Sequence, residues 1–193
     1  MPDEPRNRGF PAGFGLGGDE RTALGVLASL PGISPRELHE LAWREGTAAE
    51  CLARVRAGAA GSAADRAHAG EERASRIEEA LQGVGARLIS PAESEYPECL
   101  KDLPDPPLAL FARGRTMDPA ELRVAVVGSR AASPLGTEVA ESIGRALGEA
   151  GVCVVSGAAR GIDAASHRGA LAATGSTIAV LGSGIDEIGR AHV

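Results

Sequence analysis

The most informative part of the sequence is residues 122–186, LRVAVVGSRAASPLGTEVAESIGRALGEAGVCVVSGAARGIDAASHRGALAATGSTIAVLGSGID. Three runs rich in β-branched residues alternate with two stretches of helical periodicity. The predicted strands are 124–127, 152–155 and 177–181, and the predicted helices are 136–150 and 164–174. The first helix is expected to bury Val139, Ile143, Ala146 and Leu147. This alternation predicts an α/β domain whose parallel sheet is covered by helices on both faces.

The residues before this domain fall into three segments of different composition. Residues 1–18 are rich in glycine and proline and predict a disordered lead-in. Residues 19–83 contain short helical patterns and predict a small helical domain. Residues 84–121 are rich in proline and predict a strap, with one short strand at 87–89, that leads into the α/β domain.

One motif in the helical segment has two interpretations. Residues 30–34 (LPGIS) resemble the hairpin of helix-hairpin-helix modules, whose backbone amides can bind phosphate, and Ser34 with Glu37 has the pattern of a capping box. The second glycine usual in that hairpin is missing. A helical domain that serves only packing is therefore the preferred interpretation.

Charge and cysteine content exclude several classes of protein. The net charge is -6, so a nucleic-acid site would have to be local. All 20 basic residues except Lys101 are arginine, a side chain well suited to phosphate. Three widely spaced cysteines argue against a zinc site and a disulfide framework. Residues 1–18 have no apolar core of a secretory signal, and no apolar run is long enough to cross a membrane, so we expect a cytoplasmic protein.

Glycine-containing polar loops follow all three predicted strands. Since ligands of parallel sheets bind beyond the carboxyl ends of the strands, these loops should meet at one edge. Glycines allow close backbone approach, and Arg130 and Arg160 add positive charge, which together favour a phosphate-bearing ligand. The candidate phosphate-binding residues are Gly128, Ser129, Arg130, Ser156, Gly157, Arg160, Gly161, Gly182, Ser183 and Gly184. Glycines that serve only tight turns are the alternative.

Known nucleotide motifs and catalytic sets are absent from this pattern. No GxGxxG follows the first strand and no GxxxxGK[ST] occurs, which disfavours ordinary dinucleotide or ATP binding. Ser129 and Ser156 lack an evident His–Asp partner. Asp163 and His167 are expected to be structural, Asp163 as a helix cap and His167 near the ligand or in a structural hydrogen bond. The four histidines are scattered, so neither a metal site, a cofactor nor catalysis is predicted.

Several of these motifs together resemble the DprA/Smf family of DNA-processing proteins. The matching residues are 126–130 (VVGSR), Gly136, 156–171 (SGAARGIDAASHRGAL) and 177–186 (TIAVLGSGID), with Tyr96-Pro97, Pro106-Pro107 and Gly114 upstream. The resemblance covers about residues 20–186. It implies a Rossmann-like domain, residues 122–186, preceded by a SAM-like or helix-hairpin-helix domain.

The resemblance also implies a function and partners. Family members bind single-stranded DNA in natural transformation, protect incoming strands and load the RecA recombinase on them. They form homodimers and have no catalytic turnover. Physically, phosphates would lie on the loop amides and the two arginines. Stacking aromatics, usual in such sites, are almost absent near these loops.

The end of the chain departs from the family pattern. After residue 186 the family continues with a Tyr-Pro turn and further strands and helices, whereas residues 187–193 (EIGRAHV) do not match. We interpret the chain as a truncated gene with an artefactual tail. Resequencing the locus tests this, and an open frame that ends naturally after Val193 would refute it.

Two other functions remain as alternatives. The first is a nucleoside-monophosphate phosphoribohydrolase of the lysine-decarboxylase-like (LOG) group, which has similar glycine loops. It would need a PGGxGTxxE motif, which this sequence lacks. The second is a structural or nucleotide-sensing domain. Cleavage of AMP would identify the first, and binding of mononucleotide in preference to oligonucleotide the second.

Overall fold

The computed structural model describes residues 9–182, 184 and 185, and for residues 71–73 it describes the backbone alone. The chain forms two compact units that divide between Pro119 and Ala120, two residues before the start of the α/β domain expected from the sequence. Among the described residues, no helix is long and apolar enough to span a bilayer.

The first unit is mainly helical and includes the strap. Its elements are α1 (Gly18–Ala28), α2 (Pro35–Glu45), α3 (Ala48–Arg56), α4 (Ala63–His68), α5 (Glu71–Val84), β1 (Ala86–Ile89), α6 (Glu98–Lys101) and β2 (Leu110–Arg113). Ser34 and Glu37 form the expected capping box at the start of α2. Leu24 of α1, Leu41 of α2 and Val55 of α3 are almost completely buried, so the aliphatic stripes of these helices build one core.

The predicted disordered lead-in is wrong for the part of it that the structure describes. Phe14 is 1% exposed within the core of the first unit and stacks on Phe10 with ring centroids 5.5 Å apart. The Ser90 hydroxyl donates a hydrogen bond to the carbonyl of Phe14. Burial of the two rings outweighs the glycine- and proline-rich composition of the segment. Residues 1–8 lie outside the described residues.

The strap contains two strands rather than the single one expected. β1 and β2 pair antiparallel, with Leu88 opposite Phe111. Tyr96, in the segment that connects β1 to β2, is buried. Its hydroxyl donates to the carbonyl of Pro107 at 2.6 Å. That bond fixes the proline segment ahead of β2. The strap and the helices form one unit, not two successive domains.

The second unit confirms the predicted α/β, Rossmann-like architecture. Its elements are β3 (Arg123–Ala125), α7 (Pro134–Glu149), β4 (Cys153–Ser156), α8 (Ile162–Ala172) and β5 (Thr177–Ala179). The strands are parallel in the order β3-β4-β5, with Ala125 opposite Val155 and Val155 opposite Ile178. The β-branched runs form the strands because such side chains pack well on a pleated surface.

Helices cover one face of this sheet, not the two expected. Both crossovers run in the same direction across the sheet, so the right-handed rule places α7 and α8 on the same side. Just beyond the ends of β3 and β5, Val127 and Val180 are 74% and 61% exposed. The prediction of a doubly covered sheet is therefore wrong for the described residues.

The two helices of this unit meet along a seam of small residues. The buried residues of α7 are Ala140, Gly144 and Gly148, whereas Val139 and Ile143, expected to be buried, are 48% and 45% exposed. A Cβ on Gly144 would lie 2.1 Å from the carbonyl oxygen of Ser166 on α8. The absence of side chains lets the two backbones approach closely, so the glycine face is buried in place of the larger aliphatic one.

Candidate functional site

The three glycine-containing loops are contiguous at the carboxyl edge of the sheet. The loop after β4 contacts the loop after β3, because the Ile162 amide donates to the Ser129 carbonyl at 3.2 Å. The chain after β5 lies beside it, because the Val180 amide donates to the carbonyl of Ser156, the last residue of β4, at 2.8 Å, and the Cβ position of Gly157 lies 3.8 Å from the Val180 carbonyl oxygen. The edge is therefore a continuous surface, as the topology predicted. Of the candidate residues, Ser183 lies outside the described residues.

Two unpaired arginines are the main charges on this edge. Arg130 and Arg160 are both exposed. In the part of the chain that the structure describes, neither guanidinium has a hydrogen bond or an ion pair. Their backbones are close, because the position of a Cβ on Gly161, the residue after Arg160, lies 2.9 Å from the Arg130 carbonyl oxygen. The structure thus brings together the backbones that carry the two arginines to which sequence reasoning gave most weight.

The glycines of the site have two different uses. A Cβ on Gly128 would lie 2.6 Å from the Ile162 side chain, and one on Gly161 would lie 2.2 Å from the Ser129 carbonyl oxygen. These two glycines let the loops pack on each other. The sequence analysis had instead predicted that they allow a ligand to approach the backbone. Gly157 and Gly182 are exposed, and Gly182 has open space around its Cβ position. Gly184 is exposed as well.

The two candidate serines also differ. The Ser156 hydroxyl is buried and donates to the Val126 carbonyl at 2.6 Å, which ties β4 to the end of β3. The sequence had suggested Ser156 as a donor to the ligand, but this bond already uses its hydroxyl proton. Ser129 is exposed, and its oxygen accepts from the Ala131 amide at 3.1 Å. Its hydroxyl proton remains available to an acceptor.

Asp163 was expected to cap α8, and the structure shows that it does not. The N-cap is Gly161, with φ 85°, and the cap makes no side-chain hydrogen bond. The helix begins at Ile162 because glycine can adopt this left-handed conformation at its start. Asp163 lies in the first turn, is buried, and its carboxylate accepts from the Ala159 amide at 3.4 Å. An internal anion thus already faces the amides of the second loop.

His167 makes the structural hydrogen bond that was one of its two expected roles. Its Nδ1 lies 2.5 Å from the Thr177 hydroxyl, which itself donates to the Val154 carbonyl at 2.8 Å. Thr177 must therefore accept from Nδ1–H. Burial lowers the pKa of His167, and the charge of Asp163 acts in the opposite direction. The histidine therefore joins α8 to β5 through its bond to Thr177.

The hairpin in the first unit is closed to phosphate by a side chain of the protein. Asp65 is fully buried, and one carboxylate oxygen accepts from the amides of Gly32 and Ile33 at 2.7 and 3.3 Å. Its other oxygen accepts from Ser62. These hydrogen bonds, those of Ser62 above all, lower the pKa of Asp65 to about 2. The amides that a phosphate would need are already bonded to an anion, which favours the packing interpretation of residues 30–34.

Replacement of Asp65 by asparagine is expected to destabilise the first unit by about 3 kcal/mol, because it puts an amide nitrogen against buried donors. Above pH 3.8 the wild-type carboxylate contributes its full stabilisation, which is lost as the pH falls toward 2. Urea unfolding followed by circular dichroism at pH 7 and pH 3 measures both effects. Asp105→Asn, at an exposed position, is the matched control. Equal stability of the two variants would contradict the role given to Asp65.

Other features of the described residues do not support a metal or redox site. Cys51 and Cys153 are buried, Cys99 is exposed, and all three are free. Burial raises the pKa of the Cys51 thiol to about 12, so it is an unreactive core group. Within the described ranges no cluster of three or more His, Cys, Asp or Glu could hold a metal ion.

A concave surface along α7 is lined by neither Arg130 nor Arg160. It has a volume of about 690 Å³, and its lining includes Glu138, Glu141 and Arg145. Arg145 lies 3.8 Å from Glu141, so its charge is partly compensated. With two carboxylates and one paired guanidinium, this surface is a poor site for a polyanion.

Comparisons with known proteins show a family to which the chain is similar. The family model for DNA recombination-mediator protein A matches residues 87–192, more than half of the chain. Protein Smf of Escherichia coli is 43% identical over 52% of this chain and 27% of its own length. DNA processing protein DprA of Streptococcus pneumoniae is 44% identical over 47% of this chain and 32% of its own length.

A solved structure is similar as well. The X-ray structure of DNA processing protein A from Streptococcus pneumoniae has a TM-score of 0.54 and 26% identity, and the match covers 87% of this chain and 58% of that chain. The chain spans about a third of the length of the curated relatives it matches.

Proposed function

We propose, since the chain belongs to the family of DNA recombination-mediator protein A, that its second unit binds the phosphates of single-stranded DNA through Arg130 and Arg160. The observation that carries the proposal is the pair of exposed guanidiniums on adjoining loops, each without a partner among the described residues. An unpaired arginine can give both its charge and its planar array of donors to a phosphate.

Three other polar groups of the edge are already bonded within the protein and are not counted as phosphate donors. The Ile162 amide is bonded to Ser129, the Ala159 amide faces Asp163, and the Ser156 hydroxyl is bonded to Val126. The exposed arginines and the exposed Ser129 hydroxyl are therefore the side-chain groups of the edge that we assign to phosphate, with the other loop amides as further donors.

Binding of this kind would be independent of base sequence. All five aromatic side chains lie at positions 10, 14, 43, 96 and 111, so residues 120–193 contain none on which a base could stack. Guanidinium–phosphate contacts carry no sequence information and are weakened by salt. A flexible single strand can present successive phosphates to two neighbouring loops, which suits it better than a stiff duplex.

The wider role proposed for the protein is the one that its family resemblance implies. It would act without catalytic turnover or a cofactor, protecting incoming single strands in natural transformation and loading the RecA recombinase on them. In its full-length form it would be a cytoplasmic homodimer. The bonding of one candidate nucleophile supports a non-enzymatic role, since the Ser156 side chain is buried and its hydroxyl donates to the Val126 carbonyl.

Replacement of Arg130 by alanine tests the assignment. We expect the affinity for labelled oligo-dT, measured by fluorescence anisotropy at low salt, to fall about tenfold, because one charge-assisted contact of about 1.4 kcal/mol is lost. The loss should be the same on oligo-dC. Arg168→Ala is the matched control, since Arg168 is exposed but lies 3.5 Å from Glu141. Unchanged binding by the Arg130 variant would reject the proposed function.

A further inference from the structure

The two arginine loops are joined to each other by direct backbone contacts. The Ile162 amide donates to the Ser129 carbonyl, and the Cβ position of Gly161 lies 2.2 Å from that same oxygen. The Ile162 side chain also occupies the space that a Cβ on Gly128 would need. We refer to these four residues, Gly128, Ser129, Gly161 and Ile162, as the loop latch.

We infer that the loop latch positions Arg130 against Arg160, and that Gly161 is glycine for this purpose and not to admit a ligand. The inference rests on the proposed function, which it deepens. Arg130 directly follows Ser129, and Arg160 directly precedes Gly161, so each arginine is adjacent in sequence to a residue of the latch. The contact therefore fixes the distance between the Cα atoms of Arg130 and Arg160.

Fixing this separation has a physical benefit for binding. Arginine side chains lose rotamer freedom when they bind, and a further loss from ordering two independent loops would weaken the complex. A latch that holds both backbones before the ligand arrives removes that second cost. The latch residues need not touch the ligand, so they are positioning residues.

Gly161→Ala is the direct test, because φ at Gly161 is 85° and the added methyl group would meet the backbone of Ser129 and Arg130. Gly151→Ala is the matched control, since φ at Gly151 is 70° but nothing lies within 4 Å of its Cβ position. Both variants place an alanine at a positive φ, and at Gly161 the backbone, with ψ -127°, is also in a region that only glycine adopts readily, so this variant both strains the turn and meets the neighbouring loop. We expect Gly161→Ala to bind oligo-dT about tenfold more weakly and Gly151→Ala to bind like the wild type.

A double-mutant cycle separates positioning from general damage. In the Gly161→Ala background, Arg130→Ala should cost less than about twofold in affinity, compared with about tenfold in the wild type, because the two arginines no longer act together. If Arg130→Ala still costs its full factor there, or if Gly161→Ala binds like Gly151→Ala, the latch does not position the arginines. If Arg130→Ala has no effect even in the wild-type background, the proposed function fails instead.

A second variant covers the case in which Gly161→Ala does not fold. Ile162 is the first residue of α8, a position where helices tolerate proline. Ile162→Pro replaces the donor hydrogen by a ring carbon that points at the Ser129 carbonyl, without adding a left-handed residue. We expect it to keep the far-ultraviolet circular dichroism of the wild type and to weaken oligo-dT binding in the same cycle with Arg130→Ala. Wild-type affinity of this folded variant would overturn the inference.

Discussion

Simultaneous replacement of Arg130 and Arg160 by alanine is expected to lower the affinity for oligo-dT by more than Arg130→Ala alone and by up to about a hundredfold at low salt. Each arginine contributes a charge-assisted contact of about 1.4 kcal/mol, and each such amount is a factor of ten in affinity. No other cation lies in the loop segments 128–133, 157–161 and 180–182, so these segments hold no further charge to take the place of the two arginines. Fluorescence anisotropy titration of the 193-residue chain measures the change.

The matched control removes the same charge from the helices of the same unit. Arg145→Ala/Arg168→Ala changes the net charge equally, but both of these arginines lie near Glu141, at 3.8 and 3.5 Å. We expect this variant to bind within about twofold of the wild type, because distant and partly compensated charges contribute little. Equal losses in the two double variants would show that binding follows net charge and not the loop arginines.

Gly169→Ala is expected to destabilise the second unit by at least about 3 kcal/mol. A Cβ at this position of α8 would lie 2.0 Å from the Glu141 carbonyl oxygen and 2.8 Å from the Arg145 amide on α7. Both are backbone atoms, so the two helices would have to separate along the whole seam. Thermal unfolding followed by circular dichroism measures the loss.

Gly83→Ala is the control for this substitution. Gly83 lies in α5, has a helical backbone and has nothing within 4 Å of its Cβ position. Alanine there should stabilise the chain by up to about 1 kcal/mol, since glycine is a poor helix former. The two glycine-to-alanine changes should therefore have opposite signs. A Gly169→Ala variant as stable as the wild type would contradict the close helix contact.

The order of strands and helices in the second unit was predictable because local and long-range preferences agree there. The β-branched runs at 124–127, 152–155 and 177–181 have no helical alternative of similar quality, and glycine loops separate them from amphipathic stretches. The family resemblance, which the family model confirms, rests on the same residues. The contiguity of the loops followed from topology alone.

Other features depend on contacts that one-dimensional patterns do not contain. The periodicity of α7 favoured burial of Val139 and Ile143, but only the partner helix reveals that Gly144 is the point of closest approach. Gly161 and Gly128 looked like ligand glycines because a pattern cannot distinguish a close ligand from a close loop. The burial of Phe14 was hidden for a similar reason, since its partners are distant in sequence.

The most direct test of the account is the salt dependence of oligo-dT binding, measured for the wild type and for Arg130→Ala/Arg160→Ala between about 50 and 200 mM salt. Each phosphate that an arginine neutralises contributes about 0.7 to the slope of log Kobs against log salt concentration. We predict that the double variant has a slope shallower by about 1.4, two such contributions. Equal slopes for the two proteins would contradict the claim that these two guanidiniums hold the phosphates.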